Sequence, residues 1–258
     1  MKRMFFLLFT FVSSNIYSQV IVDNLAPYNS PVYIVNQVLL GGGITATNHS
    51  FIGNPNQIGF FNGINSNIGI DSGVVLSTGN VFGILGPNNL EGQSTSYNPF
   101  IFTSTTGDPT LDAIVAPENT FDAAVLEFDF TPNSDTISFS YVFASEEYAE
   151  YVNVYNDAFG FFLTGPNPAG GNYIDQNLAI VPGTNIPVTI NNVNNGNQNA
   201  GPCVNCAYYI DNGDGNSPPQ NTDPTVVQFD GFTTPLTATA VVNCGDTYQI
   251  KLVVADVG

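Results

Sequence analysis

Basic residues are almost missing from this sequence. Three Lys or Arg stand against 21 Asp or Glu in 258 residues, a formal charge of −18. Phosphate backbones are held by Lys and Arg that displace counterions, so nucleic acid is excluded as a partner. Salt bridges cannot balance so many carboxylates. Either the acids are spread over a solvated surface, or some share cations from the medium. Carboxylate and carbonyl oxygens suit hard divalent ions, which makes Ca²⁺ the expected cofactor. Tryptophan is absent and histidine occurs once, at His49 in the segment TNHS, read as a surface loop. With one His and no G-x-S-x-G, a serine hydrolase lacks its parts. P-loop and dinucleotide-binding fingerprints are missing too. Cysteine is scarce: Cys203 and Cys206 form a CxxC, and Cys244 follows later. Without a second CxxC or a nearby His, a zinc site is not indicated. One structural disulfide is expected in an oxidising compartment, with Cys244 pairing to Cys203 or Cys206 and one thiol left over.

Long apolar runs are also lacking, apart from the opening MKRMFFLLFTFVSSNIYSQ. Lys2 and Arg3 precede an apolar core from Met4 to Val12, and Ser18 closes a short polar region. This reads as a secretory signal peptide over residues 1–18, cleaved near Ser18–Gln19. The run is too short to span a bilayer. Beyond it only Lys251 is basic, against all 21 acids, a formal charge of −20. The remaining residues, 19–258, suit one large β domain, and 43% hydrophobic residues with little charge argue against disorder.

The segment 30–43, SPVYIVNQVLLGGG, is the best helix candidate. Ser30 can cap it, Pro31 suits its first turn, the glycines stop it, and Val32, Val35, Val38 and Leu39 form one apolar face. From residue 44 onward the pattern is strands and turns. Residues 73–81 form a short apolar run. Residues 123–130 alternate, with Ala124, Leu126, Phe128 and Phe130 on one face and Glu127 and Asp129 on the other. Residues 136–144 alternate through Ile137, Phe139, Tyr141 and Phe143, and 248–256 through Tyr248, Ile250, Leu252 and Val254. Period-2 patterning with intervening turns predicts an all-β fold: an antiparallel two-sheet sandwich of jelly-roll type with a short N-terminal helix. Residues 191–224 form a long irregular excursion.

In order along the chain, GGGI (41–44), NIGIDSGVVLSTGNV (67–81), DAAVLEFDFTPNSDTISFSYVFASEEYAEYV (122–152), NDAFGFFLTGP (156–166), VPGTNIPVTINNVN (181–194), QFDGFTTPLTA (228–238) and YQIKLVVADVG (248–258) together resemble the choice-of-anchor L domain of bacterial surface and secreted proteins. The resemblance implies export and a variable C-terminal anchoring or sorting signal, in gliding-type bacteria often a type IX secretion sorting domain. It also implies further acidic residues and a closing strand after ADVG. The chain is therefore expected to be truncated, with its cell-envelope anchor in a C-terminal region absent here.

One stretch concentrates the acids: VFASEEYAEYVNVYNDAFGFFL, residues 142–163, with Glu146, Glu147, Glu150 and Asp157 and no basic residue. Neighbouring side chains on a strand point to opposite faces, so Glu146 and Glu147 serve one site only if the chain turns there. Asn156 and Asp157 open the next apolar run, and Asp256 follows the strand 248–255. If these runs are neighbouring strands, Glu146, Glu147, Asn156, Asp157 and Asp256 meet at one sheet end as a Ca²⁺ cage. The competing reading is a solvated acidic turn, with Asn156 or Asp157 capping backbone groups. DNGDGN at 211–216 looks like a calcium loop but breaks the EF-hand spacing, and is read as a turn. A glycosidase pair at Glu146 and Glu147 is disfavoured, because adjacent carboxyls rarely straddle a sugar and only Tyr148, Tyr151 and Tyr155 could replace the missing Trp. Tyr208 and Tyr209 are read as packing residues with some capacity for glycan contact. The expected function is a non-enzymatic exported module for adhesion or display, stabilised by calcium, with a glycan or a cell-surface protein as partner. The alternatives are a calcium-dependent lectin-like domain and an extracellular hydrolase.

Overall fold

The computed structural model describes residues 19–40, 44–90 and 106–258. The expected signal peptide and the helix-stopping glycines 41–43 lie outside them. Thirteen strands are found among the described residues. They are β1 (Ile21–Asp23), β2 (Thr45–Ile52), β3 (Ile58–Asn62), β4 (Ser72–Leu76), β5 (Phe121–Thr131), β6 (Thr136–Tyr141) and β7 (Ala144–Ser145), then β8 (Ala158–Pro166), β9 (Asn172–Asn177), β10 (Tyr209–Asp211), β11 (Gly231–Thr233), β12 (Leu236–Val241) and β13 (Tyr248–Asp256). Two short α-helices, α1 (Pro31–Tyr33) and α2 (Pro109–Val115), accompany them.

The all-β class is met, and every strand pairing is antiparallel. Where two sheets were expected, the strands pair into four: β2-β5-β13-β8-β9, β1-β3-β4, β10-β11-β7 and β12-β6. The expected strand 136–144 divides, because β6 pairs with β12 while β7 pairs with β11. The apolar run 73–81 is strand only as far as Leu76; Asn80 then caps a 3-10 turn by accepting from the Phe82 N–H.

The N-terminal segment departs most from expectation. Only Pro31–Tyr33 are α-helical, and Ile34–Leu39 continue as a wider π-helix, with the Leu40 N–H reaching back five residues to the Val35 carbonyl. That change of period rotates the apolar face. Ile34 and Val35 are buried while Val32 is 53% exposed. Ser30 sits at the start without a side-chain cap, and Pro31 takes the first helical position as expected. His49 lies in β2 and not in a loop, its Nε2 3.2 Å from Asn36 Nδ2.

The alternation read from the sequence places the core. Leu126, Phe128 and Phe130 of β5 and Tyr248, Ile250 and Leu252 of β13 share one buried cluster with Ile137 of β6, Ala238 and Ala240 of β12 and Ile34 and Val35. The other face of β5 is also covered at its start, where Ala123 and Val125 meet Leu111 and Val115 of α2. Burial on both faces explains why the β5 pattern becomes continuously apolar there. Lys251 stands on this second face. Its ammonium reaches Asp108 Oδ2 at 2.5 Å and donates to Thr110 Oγ1 at 3.0 Å. Asp108 in turn caps α2 by accepting from the Thr110 and Leu111 N–H groups.

Gly86 is required by close approach. A Cβ on Gly86 would lie 1.6 Å from the Val226 carbonyl oxygen. Gly86→Ala is expected to cost about 2 kcal/mol, because the irregular backbone there can shift to relieve part of the overlap. A drop of roughly 4–8 °C in a thermal melt checks it, and an unchanged midpoint would show that the two segments do not pack this closely.

Candidate metal centre

The paired strands β8 and β13 deliver two carboxylates to one place. Ala158 is opposite Ala255 in the register, so Asp157 and Asp256 arrive at the same sheet end. The turn after β7 brings the third, Glu147. Ser145 fixes the arrangement: its Oγ accepts from the Glu147 N–H at 2.9 Å and donates to Asp157 Oδ2 at 2.8 Å. Asp157 Oδ1 accepts from the Val257 N–H at 2.9 Å, which ties β8 to the end of β13. Glu147, Asp157 and Asp256 each offer an oxygen within 4.8 Å of the other two. They line a cavity of about 120 Å³ together with Ser77, Asn80, Asp122 and Glu146, and among the described residues no Lys, Arg or His borders it.

The electrostatics follow from crowding acids away from water. Burial, then the charges of Asp256 and Glu150, push Glu147 up to about 7. Asp157 is held well above the usual carboxylate range by burial and by Asp256 beside it. Asp256 is raised by burial, against a hydrogen bond shared with Asp157. Carboxylates in this state either keep protons or take a cation.

Two other expected ligands stand apart. Asn156 Oδ1 accepts from the Asn191 N–H at 3.0 Å, so it caps a loop, as the competing reading allowed. Glu146, beside Glu147 in the turn after β7, borders the cavity but faces a second set of groups. Burial, then the charge of Asp230, raises it to about 9, with a hydrogen bond from Gln228 opposing. Its Oε2 is buried and has no hydrogen-bond partner among the described residues. Asp230, raised to about 7 by burial, accepts from Asn88 Nδ2 at 2.8 Å. Sequence reasoning missed Asp122 and Asp230. Asp122 sits at a positive φ of 49° at the start of β5, and nothing in its alternating neighbours marks it.

A profile of the choice-of-anchor L domain matches residues 22–258. The chain belongs to the choice-of-anchor L domain family. No curated protein and no solved structure matches it. Membership of this family suggests a surface-associated, non-catalytic module.

The remaining features of this choice-of-anchor L domain fall into place around the acids. Tyr148 is fully buried and donates to the Val193 carbonyl at 2.8 Å, which removes it from any sugar platform. Tyr151 and Tyr155 remain 45% and 38% exposed, with ring centroids 5.4 Å apart. Tyr208 and Tyr209 pack against the cluster around Tyr148 and Phe143. In DNGDGN, Asp214 accepts from the Asn216 and Ser217 N–H groups, which makes the segment a tight turn. The disulfide joins Cys203 to Cys206, and Cys244 is free and exposed. The expectation that Cys244 takes part is thereby corrected. Cys203 and Cys206 are three residues apart on a turn, whereas Cys244 lies beyond β12.

The second acid set gives a pH prediction. Asp230 and Glu146 titrate at about 7 and about 9 when folded, against ordinary values of 3.8 and 4.5. Between those limits the folded state holds protons that the unfolded state has released. Their contribution is therefore complete below about pH 4 and is lost as pH rises towards 9. In EDTA the urea midpoint is expected to fall from pH 5 to pH 9, less steeply in Asp230→Asn. A midpoint that rises over this range would contradict the burial of these two groups.

Proposed function

We propose that this chain is an exported, non-catalytic surface module for adhesion or display, stabilised by one Ca²⁺ held by Glu147, Asp157 and Asp256. The convergence of these three carboxylates supports the reading. The donor set fits the ion: hard oxygens alone, with no basic residue competing for them. Calcium takes about six to eight oxygens, so carbonyls and water complete the shell. When bound, the ion supplies positive charge and a cross-link. The chain's own residues do the rest: Ser145 positions Glu147 against Asp157, and Asp157 holds the end of β13. The same reading takes the five-stranded sheet as one layer of a jelly-roll-like sandwich and the smaller sheets as the other. Contributions of both to the main core cluster support that.

Calorimetric titration of the chelator-stripped chain with Ca²⁺ tests the site. One ion per chain is expected, and none in Glu147→Gln. Binding unchanged by that substitution would remove the assignment. The exposed pair Tyr151 and Tyr155 favours a second reading, a lectin-like surface in which aromatic faces beside the acids take a sugar. Glycan-array signals that need calcium and vanish in Tyr151→Ala would select it; signals indifferent to both would exclude it.

A further inference from the structure

One cavity borders the outer edges of two strands. It measures about 340 Å³ and is lined by every residue of two runs, 72–77 and 138–144. Successive residues of a strand point to opposite faces, so a cavity that touches all of them meets the strands edge-on. Those edges are free. β4 is the outer strand of β1-β3-β4 and β6 the outer strand of β12-β6. Among the described residues no backbone hydrogen bond joins them or pairs either with another strand on this side. The cavity is also apolar above and below. Phe159, Phe161 and Leu252, from β8 and β13, floor it within the main core cluster. Phe61, Ile84 and Phe229 roof it from a separate cluster. Its lining comes from two outer strands and from two apolar clusters. Tyr141 adds an unmet demand, its hydroxyl buried with no hydrogen-bond partner among the described residues.

One end of the slot runs into the acidic cavity, which shares Leu76, Ser77, Phe143, Ala144, Phe229 and Val254 with it. That end carries Glu146, with its unpartnered oxygen. We propose that β4 and β6 receive a single β-strand from a partner polypeptide, apolar on both faces over about five residues and flanked by Lys or Arg at the acidic end. Strand addition to an open edge supplies main-chain hydrogen bonds, and the two apolar layers select the side chains. Continuous apolar character follows from burial on both faces. The proposal does not depend on the calcium reading.

The test uses the full chain in EDTA and a fluorescein-labelled peptide, Lys-Thr-Val-Val-Val-Leu-Thr-Lys. Saturable binding is expected by anisotropy. It should weaken on the order of tenfold or more when the central Val becomes Pro, which removes a ladder donor. It should also weaken when the terminal lysines become Glu. Amide hydrogen exchange at 72–76 and 138–141 should slow by about tenfold or more with peptide bound, as edge groups gain partners. Absence of binding, or indifference to the Pro, would overturn the proposal. So would edge amides already protected without peptide, which would mean that the chain fills its own slot. An apolar dye that binds while the edge amides stay unprotected would make the cavity a small-molecule pocket instead.

Discussion

In millimolar calcium the full chain is expected to melt about 10 °C higher than in EDTA. An ion that binds only the folded state stabilises it by about 2.7 kcal/mol at a hundred times its dissociation constant, and by about 4 kcal/mol at a thousand times. At this chain length each kcal/mol moves the midpoint by roughly 2–4 °C. The choice of variant matters. Asp157 accepts hydrogen bonds from Ser145 and Val257, so replacing it damages the fold with or without metal. Glu147→Gln and Asp256→Asn are the cleaner probes. Each should melt within a few degrees of the parent in EDTA and lose most of the rise in calcium. An equal midpoint for the parent chain in both buffers would remove the metal from this site and leave a buried, protonated carboxyl cluster.

Lys251→Met is expected to cost about 3–5 kcal/mol, the usual loss when one partner of a buried ion pair is removed. The pair is well enclosed: Lys251 is 15% and Asp108 8% exposed at the side chain. Beyond the ammonium–carboxylate contact, Lys251 lies over the Phe162 ring at 5.8 Å. Without the lysine, the buried Asp108 carboxylate at the N-terminus of α2 loses its counter-charge. Adding Asp108→Asn should recover most of the loss, since the amide is neutral and its oxygen still caps the Thr110 and Leu111 N–H groups. Urea midpoints of the two single variants and the double variant provide the cycle. A single-variant loss under about 1 kcal/mol would place the pair among weak surface contacts.

What could be read in the chain depended on how local the signal was. The alternation in 123–130 and 248–256 gave β5 and β13 and their inward faces, because period-2 patterning is written in consecutive residues. The acid cluster was visible as composition, and the pairing of Asp157 with Asp256 followed once their strands were taken as neighbours. The split of Glu147 from Glu146 was only conditionally legible. Alternation predicts that they part on a strand, but both lie in the turn after β7, and what sends Glu147 to Asp157 is the Ser145 hydroxyl. Asp230 was invisible, since its partner Asn88 is 142 residues away. The same holds for the π-helical run, where apolar spacing alone could not indicate a wider coil. The disulfide was misread because a longer loop was favoured over a turn that joins neighbours directly.

The position of β13 bears on the order of assembly. It follows every other described strand in the chain, yet it lies at the centre of the five-stranded sheet, between β5 and β8. β5 and β8 have no ladder between them until it arrives. A chain threaded through a membrane pore from its N-terminus therefore cannot close its main sheet while the C-terminal residues remain on the near side. Such a chain stays pliable during passage and gains its rigidity only on the far side.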